Sequence, residues 1–458
     1  MHSTLESYLK SLQGKQIAVI GIGVSNTPLI KLLLRAGLHV TACDKNQRES
    51  FDGQIEELES LGAQVQLGPS YLKGLEQFDV IFRTPGMRPD IPELKAAQDA
   101  GAVITSEMEV FFDVCPAHLI AVTGSDGKTT TTTIIAGLLK AAGYHTFVGG
   151  NIGRPRLSDV PDMQESDMVV LELSSFQLMT MKRSPHIAVV TNLAPNHLDV
   201  HTSMEEYVQA KQNIYLHQTP DDKLVLNWDN PITRGFADSA VGDVVFFSRQ
   251  EELEQGVCLH QEAITVHGRE VLPLRDILLP GVHNLENYMA AIAAVDGLVP
   301  DAVIRDYAKT FGGVEHRIEL VRTRDGVRYY NDSIASSPSR TIAGLRSFPE
   351  KVILIAGGYD KHIPYDILGP EIVAHVKRLV LTGATAPKIR AATEQAPEYQ
   401  PGSPVIEEYA QFRDAVLAAA QAAQPGDVVL LSPASASFDQ FKNFAQRGAA
   451  FKEIVRAL

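Results

Sequence analysis

Cysteine is scarce in this chain: Cys43, Cys115 and Cys258 are the only three in 458 residues, far apart and in no CxxC or Cys/His metal spacing. So sparse and odd a set excludes a disulfide framework and fits a reducing compartment. Positive charge is also in deficit, with Lys+Arg 41 against Asp+Glu 55 and a formal net charge of −14. That balance excludes a general nucleic-acid binder, which needs a basic face to neutralise phosphates, but leaves room for a local basic pocket around a small anionic ligand. No run of 18 apolar residues occurs, so no membrane insertion is expected. Residues 1–10 carry Glu6 early and no apolar h-region, so no signal peptide is expected. Internal repeats and low-complexity tracts are missing too. These absences together predict a cytoplasmic, multidomain chain.

What is present is enough apolar surface for packed cores: 45% apolar and 21% charged residues. At roughly 150 residues per domain the length predicts about three domains. The recurring unit is a short, continuous apolar run, then a glycine-rich turn, then a helical pattern. Such runs occupy 16–20, 119–122, 168–173, 187–190, 351–356, 379–381 and 428–431. Runs of this length read as strands buried on both faces, and their alternation with helices predicts an α/β fold with mostly parallel sheets. Between 253 and 279 the pattern changes to alternation (Ala263, Ile264, Val266), which predicts a few antiparallel strands. Three blocks follow, 1–107, 108–313 and 314–458, the second closing near the glycine pair Gly312-Gly313.

The strongest local signal is Gly124-Ser125-Asp126-Gly127-Lys128-Thr129-Thr130, between a buried strand and a helix with an apolar face at Ile134, Ile135, Leu138 and Leu139. Such a turn aims successive backbone N–H groups at one spot, where the helix N-terminus attracts phosphate. Lys128 is then placed to neutralise β/γ-phosphate charge and the Thr129 hydroxyl to reach a Mg²⁺. The full phosphate-loop pattern is not met, because Val122 stands where its first glycine belongs. An ordinary strand–helix turn with a solvated lysine is the competing reading.

Weaker signals surround it. Gly21-Ile22-Gly23-Val24-Ser25-Asn26 follows the first strand, and Asp44 ends the next, where a carboxylate often meets a ribose hydroxyl. Asn26 replaces the third glycine of the dinucleotide fingerprint, so NAD, another nucleotide and plain Rossmann-like packing all remain open. Arg83-Thr84-Pro85-Gly86 makes a turn at the same end of that sheet. Glu172 sits in the apolar strand of Leu171-Glu172-Leu173-Ser174-Ser175-Phe176-Gln177, where a carboxylate needs a partner unless it faces solvent at the strand end. His197 and Asp199 follow another strand and suit Mg²⁺ or phosphate, though a loop histidine is more often structural. Lys211, on a helix predicted over 204–217, reads alone as a surface lysine. Asn284 and Asn287, three apart, share a helix face, and capping explains one of them equally well. In the third block Asn331-Asp332-Ser333-Ile334-Ala335-Ser336, Gly357-Gly358-Tyr359-Asp360-Lys361 and Leu431-Ser432-Pro433-Ala434-Ser435-Ala436-Ser437 follow three strands. Three polar loops at the carboxyl ends of parallel strands make a binding rim.

Taken in order across all three blocks, these segments resemble the Mur ligase family of ATP-dependent amide-bond ligases in peptidoglycan precursor synthesis. The resemblance rests on Gly124–Thr129, Asn151 in Gly149-Gly150-Asn151-Ile152-Gly153, Glu172, Asn196-His197-Leu198-Asp199, Lys211, His283-Asn284 with Asn287, His316-Arg317 and Asn331-Asp332-Ser333. Within the family, residues 171–178, the Gly357–Lys361 loop and residues 431–441 look like the members that add D-glutamate to UDP-N-acetylmuramoyl-L-alanine. The resemblance implies a Rossmann-like UDP-binding first block, a central phosphate-loop ATPase block and a Rossmann-like third block. It implies ATP contacts from Gly124 to Thr130 and from Asn284, Asn287, Arg317 and Asp332. The UDP substrate would meet Ser25, Asn26, Asp44, Thr84, Pro85, Gly86, Asn151 and Gln177. Glutamate would meet Ser336, Lys361, Ser437 and Phe444. Lys128, Glu172, His197 and Lys211 become the catalytic set, with two Mg²⁺ ions held by Thr129, Glu172, His197 and a CO₂-derived carbamate on Lys211. Many relatives carry Lys and Thr where this chain has Ile334 and Ser336, so Ile334 brings no charge to the amino-acid pocket. Partners among other precursor-synthesis enzymes are not identified by these residues. An L-glutamate-adding relative, another Mur-type or a folylpolyglutamate-type ligase are the alternatives within the class; an NAD-dependent dehydrogenase or nucleotide sensor is the alternative outside it.

Overall fold

A computed structural model describes residues 4–194, 201–361 and 363–458. Packing divides the chain into two compact units, Met1–Leu274 with Glu286–Tyr307, and Arg275–Leu285 with Ala308–Leu458.

The first unit holds two sheets. In one, β1 (Gln16–Ile20), β2 (His39–Asp44), β3 (Gln64–Leu67), β4 (Val80–Phe82) and β5 (Val103–Thr105) run parallel in the order β3-β2-β1-β4-β5. The order reverses between β2 and β4 around β1, so the crevice for a ligand opens at the carboxyl end of β1. The other sheet has β6 (His118–Thr123), β7 (Thr146–Gly150), β8 (Met168–Glu172), β9 (Ile187–Val190), β10 (Lys223–Asn227), β11 (Asp243–Ser248), β12 (Val257–His260), β13 (Ala263–Val266) and β14 (Arg269–Pro273). Its order is β14-β13-β12-β11-β10-β9-β6-β8-β7, and only the β12–β13 and β13–β14 pairs are antiparallel. The alternating stretch at 253–279 thus forms strands, as its period of two predicts, and β12–β13 and β13–β14 pair antiparallel.

Register positions the central site. β6 lies between β8 and β9, with Val122 beside Glu172 and Thr123 beside Val190. The loop after β6, the end of β8 and the loop after β9 therefore leave the sheet side by side. Helix Lys128–Ala141 opens directly after the first of these and buries Ile134, Ile135, Leu138 and Leu139, the apolar face read from the sequence. The helix at 204–217 is shorter than expected, Met204–Gln212. Beyond it the Asn213 side-chain amide donates to Leu178 O at 2.9 Å, which gives the turning chain a partner outside a helix.

The second unit has one sheet: β15 (Glu319–Arg324), β16 (Val327–Asn331), β17 (Val352–Ala356), β18 (Val376–Thr382), β19 (Val405–Tyr409) and β20 (Val428–Leu431), in the order β15-β16-β20-β17-β18-β19. Only β15 is antiparallel to its neighbour. Asn331 and Ile355 both pair with Leu431, so the three polar loops after β16, β17 and β20 emerge at one edge. No helix among the described residues is long and apolar enough to cross a membrane.

Candidate active site

The loop after β6 is shaped by two glycines. Gly124 has φ +149° and Gly127 φ +78°; a Cβ on the first would collide with the Thr191 hydroxyl and one on the second with the Asn287 carboxamide. Both positions demand glycine sterically as well as conformationally. The loop is tied to its neighbours by Ser125 N–H donating to Asn192 O (2.8 Å), Asp126 N–H to Asn192 Oδ1 (3.0 Å) and the Thr191 hydroxyl to Asp126 O (2.6 Å). Ser125 Oγ lies 3.0 Å from the Tyr207 hydroxyl and accepts from Ala194 N–H at 2.9 Å. Lys128 folds back over the loop and donates to Gly124 O (2.9 Å) and Ser125 O (2.8 Å). Thr130 is buried on the same helix.

Glu172, only 2% exposed, closes β8. Its partners are at hand: the Thr129 hydroxyl donates to Oε2 at 2.6 Å and the Asn151 side-chain amide to Oε1 at 2.8 Å. A solvent-facing strand end is thereby ruled out, and Thr129, Asn151 and Glu172 meet at one point.

Lys211 is not the surface lysine that its helix position suggests. It is 1% exposed, its Nζ donating to Thr123 Oγ1 and to Gly124 O, each at 3.0 Å, and lying 4.9 Å from the centre of the Tyr207 ring. Burial, reinforced by the charge of Lys128, pulls its pKa well below the ordinary lysine value, with Glu172 opposing. The reason is tertiary: helix Met204–Gln212 turns its Tyr207, Ala210 and Lys211 face inward against the loop. His197 lies outside the described residues. Asn287, within the same unit, accepts from the Thr131 hydroxyl at 3.2 Å.

Gln177 is 7% exposed, and its carbonyl is used locally, accepting from Ser174 N–H and Ser174 Oγ at 3.0 Å each in a capping box. In the first sheet, Asp44 accepts from Ile22 N–H (2.8 Å) and Asn46 N–H (2.9 Å), so it braces the glycine turn. Asn26 is buried, its amide donating to Ile20 O at 2.8 Å; Ser25 is exposed beside it. Gly21, at φ +95°, would bring a Cβ to 3.1 Å from Thr84 Cβ, so the Thr84-Pro85-Gly86 turn lies directly against the glycine turn.

The second unit brings its own set together. Asp332 is buried, accepts from Ser432 Oγ (2.8 Å) and Ile318 N–H (3.3 Å), and is pushed up to about 7 by burial. The Asn331 amide meets His316 Nδ1 at 2.9 Å and Glu319 Oε2 at 3.1 Å. His316 itself has φ +63°, and a Cβ on Gly448 would strike its ring. Arg317, half-buried, donates its N–H to Val314 O at 2.9 Å. Ser437 is buried, Ser336 half-buried, and Lys361 and Phe444 exposed. Asn284 is buried, its amide donating to Pro280 O at 2.6 Å.

Arg447 was not apparent in the sequence. At 3% exposure it donates to Ser333 Oγ (3.1 Å), Ser333 O (3.0 Å), Ser435 O (3.1 Å) and Ala436 O (3.0 Å), and so holds two of the three polar loops together. Its only signal was an arginine on the inner face of an amphipathic helix, Phe444–Ala457. Ser432 and Ser435 were legible only as loop serines, yet Ser435 Oγ lies 2.8 Å from both Tyr365 OH and Thr385 Oγ1.

A glycine loop that opens a helix stands against a buried carboxylate and a buried lysine, and the chain belongs to the Mur ligase family of ATP-dependent ligases. The family models match in chain order: the Mur ligase MurD-like N-terminal domain over residues 15–106, the Mur ligase middle domain over 122–295, and the Mur ligase glutamate ligase domain over 316–435. Among curated relatives, the UDP-N-acetylmuramoylalanine–D-glutamate ligase of Acetivibrio thermocellus is 55% identical, with 100% of each chain covered. That of Ruminiclostridium cellulolyticum is 52% identical, again over 100% of both. Among solved structures, the UDP-N-acetylmuramate–alanine ligase of Thermotoga maritima superposes with a TM-score of 0.59 at 19% identity, covering 97% of this chain and 99% of its own, a likeness of fold alone.

Proposed function

We propose that this ligase joins D-glutamate to UDP-N-acetylmuramoyl-L-alanine in the cytoplasm, converting ATP to ADP and phosphate. The relatives' shared name over their full length supports the substrates, and the buried Lys211 amine against the phosphate loop carries the chemistry. The alanyl carboxylate attacks the γ-phosphorus of ATP, ADP leaves, and an acyl phosphate forms. The D-glutamate amine then attacks the acyl carbon; the tetrahedral adduct expels phosphate, the amine loses its proton, and the amide remains.

The first step brings two anions together, so its barrier is electrostatic. Lys128 and the loop Gly124–Thr130 bind the phosphates, with the Ser125 and Asp126 N–H groups held by Asn192. Magnesium takes few protein oxygens and keeps several waters, and the Thr129 hydroxyl with the Glu172 carboxylate fits such a site. Bound there, Mg²⁺ would screen the repulsion between the phosphate and carboxylate oxygens. A second ion would use His197 and a carbamate on Lys211. Carbamylation needs an unprotonated amine, and burial favours that form of Lys211. Asn284, Asn287, Arg317 and Asp332 serve ATP. Blocks 1–107, 108–313 and 314–458 each take one substrate region, in the order UDP, ATP and glutamate. Ser25, Asn26, Asp44, Thr84, Pro85 and Gly86 form the UDP end; Asn151 and Gln177 contact the muramoyl-alanine moiety. Ser336, Lys361, Ser437 and Phe444 hold D-glutamate, Lys361 pairing with a carboxylate.

The decisive measurement is ADP release with each substrate omitted in turn, and with D- and L-glutamate side by side. Release is expected only with ATP, the UDP substrate and D-glutamate together. Release indifferent to the UDP substrate overturns the reading, and equal rates with both enantiomers overturn its stereochemistry.

A further inference from the structure

Two arginines flank the Thr84-Pro85-Gly86 turn, and both leave the first sheet for the second. Arg83 is 1% exposed and the largest of the fully buried side chains. Its Nη1 donates to Pro85 O (3.3 Å) and Met87 O (3.0 Å), on the two limbs of the turn. Its Nη2 donates to Phe176 O (3.3 Å) and the Thr180 hydroxyl (2.7 Å), within and just beyond the short helix Ser175–Leu178 that carries Gln177. Nε has no hydrogen-bond partner among the described residues. The carboxylate that acts on this guanidinium is Glu109, which is itself held by the Ser106 hydroxyl at 2.7 Å.

Arg88, at the other end, is bidentate twice. It meets Asp90 at 2.9 Å through Nε and Nη2, and Glu206 at 3.0 and 2.7 Å through Nη1 and Nη2. Glu206 lies in the first turn of helix Met204–Gln212 and also accepts from Thr202 N–H at 2.7 Å. The next residue is Tyr207, which touches Ser125 of the phosphate loop, and Lys211 follows one turn later.

A buried guanidinium with an unused N–H is expensive to keep, and neither arginine was needed to explain the fold of its own sheet. What they accomplish is geometric. The turn proposed to take the UDP substrate is fastened at one end to the segment carrying Gln177 and at the other to the helix carrying Lys211. We propose that Arg83 and Arg88 are positioning residues that clamp the Thr84–Gly86 turn to these two helices, so that binding of the UDP substrate and placement of its carboxylate depend on both arginines. Planar forks suit this task, because each spans two acceptors on different segments without losing charge. The clamp rests on the functional reading above for its substrate.

The experiment measures equilibrium binding of UDP-N-acetylmuramoyl-L-alanine by calorimetry, with steady-state KM for each substrate, in wild type, Arg88→Gln, Glu206→Gln, the double variant and Thr180→Val. Thr180→Val removes one acceptor of Arg83 while keeping the side-chain shape, which avoids the folding risk of emptying the Arg83 site. Each single variant is expected to weaken UDP-substrate binding about tenfold and leave KM for ATP and D-glutamate within about twofold. The Arg88→Gln/Glu206→Gln double variant should be no weaker than the worse single one, because the two share one interaction. Wild type that binds the UDP substrate, with variants that bind equally well, overturns the clamp alone. Uniform loss for all three substrates, with a lowered melting temperature, also overturns it in favour of simple structural support. Wild type that does not bind the UDP substrate overturns the functional reading and the clamp with it.

Discussion

Lys211 in the first unit and Arg447 in the second are both buried cations set against loop carbonyls, and they differ in chemistry. In the first unit Lys211 offers one amine to Thr123 Oγ1 and Gly124 O. In the second, Arg447 spreads four hydrogen bonds over Ser333, Ser435 and Ala436. Burial acts on both in the same direction: Lys211 drops well below its ordinary pKa, and Arg447 falls to about 10. A guanidinium brought down to about 10 still holds its proton at neutral pH, whereas the Lys211 ammonium starts from a lower ordinary value and burial moves it toward the neutral amine. The first unit thus buries a group that can become a nucleophile; the second buries a permanent brace. Equal burial produces reactivity in one place and rigidity in the other, and residue type decides which.

The sharpest way to break this contrast is to exchange the losses. Lys211→Ala should reduce ligase turnover on the order of 10³-fold or more while the fold survives. Short carboxylic acids added to that variant should restore part of the rate by standing in for the proposed carbamate. Full activity in Lys211→Ala would remove Lys211 from the proposed metal site. Arg447→Met should do the reverse and act first on stability. Three carbonyls lose their donor, a cost of roughly 3 kcal/mol or more, read as a lower urea midpoint for the transition that includes the second unit. An unchanged midpoint would show that the polar loops hold themselves.

Lys361 tests the exposed edge of the same unit. It is exposed, so Lys361→Ala should leave the urea midpoint unaltered and raise KM for D-glutamate about tenfold. A shifted midpoint with unchanged KM would make it a structural residue. The smallest effect expected is on pH dependence. Asp332 is raised to about 7 by burial, so its folded-state pKa lies above the unfolded value. Its contribution to stability is therefore complete below the ordinary carboxylate range and is lost as pH rises through about 7. Asp332→Asn should flatten the fall in urea midpoint between mildly acidic and neutral pH. An identical slope in the variant would mean that another group sets it.

Local signals were legible in the sequence and long-range ones were not. The Gly124–Thr129 loop could be read because a buried strand, two glycines and an amphipathic helix are consecutive, and the antiparallel strands at 257–273 could be read from their alternation. The family motif gave Lys211 a role that its own neighbourhood argued against, since nothing within one helix turn announces that a lysine points inward. Arg83, Arg88 and Arg447 depend on acceptors 93, 118 and 114 residues away in the chain, and no local pattern encodes such a partner. Gln177 and Asp44 show the converse. Both stand where a ligand contact was expected, and both also satisfy backbone groups of their own segment.

The carbonyl of Gly124 is claimed twice, by Lys128 at 2.9 Å and by Lys211 at 3.0 Å. A single peptide oxygen thereby ties both lysines to the same loop. In the proposed reaction, a phosphate oxygen that drew Lys128 away would leave that carbonyl to Lys211. The two lysines are coupled through that one backbone atom as well as through the charge that Lys128 exerts on Lys211.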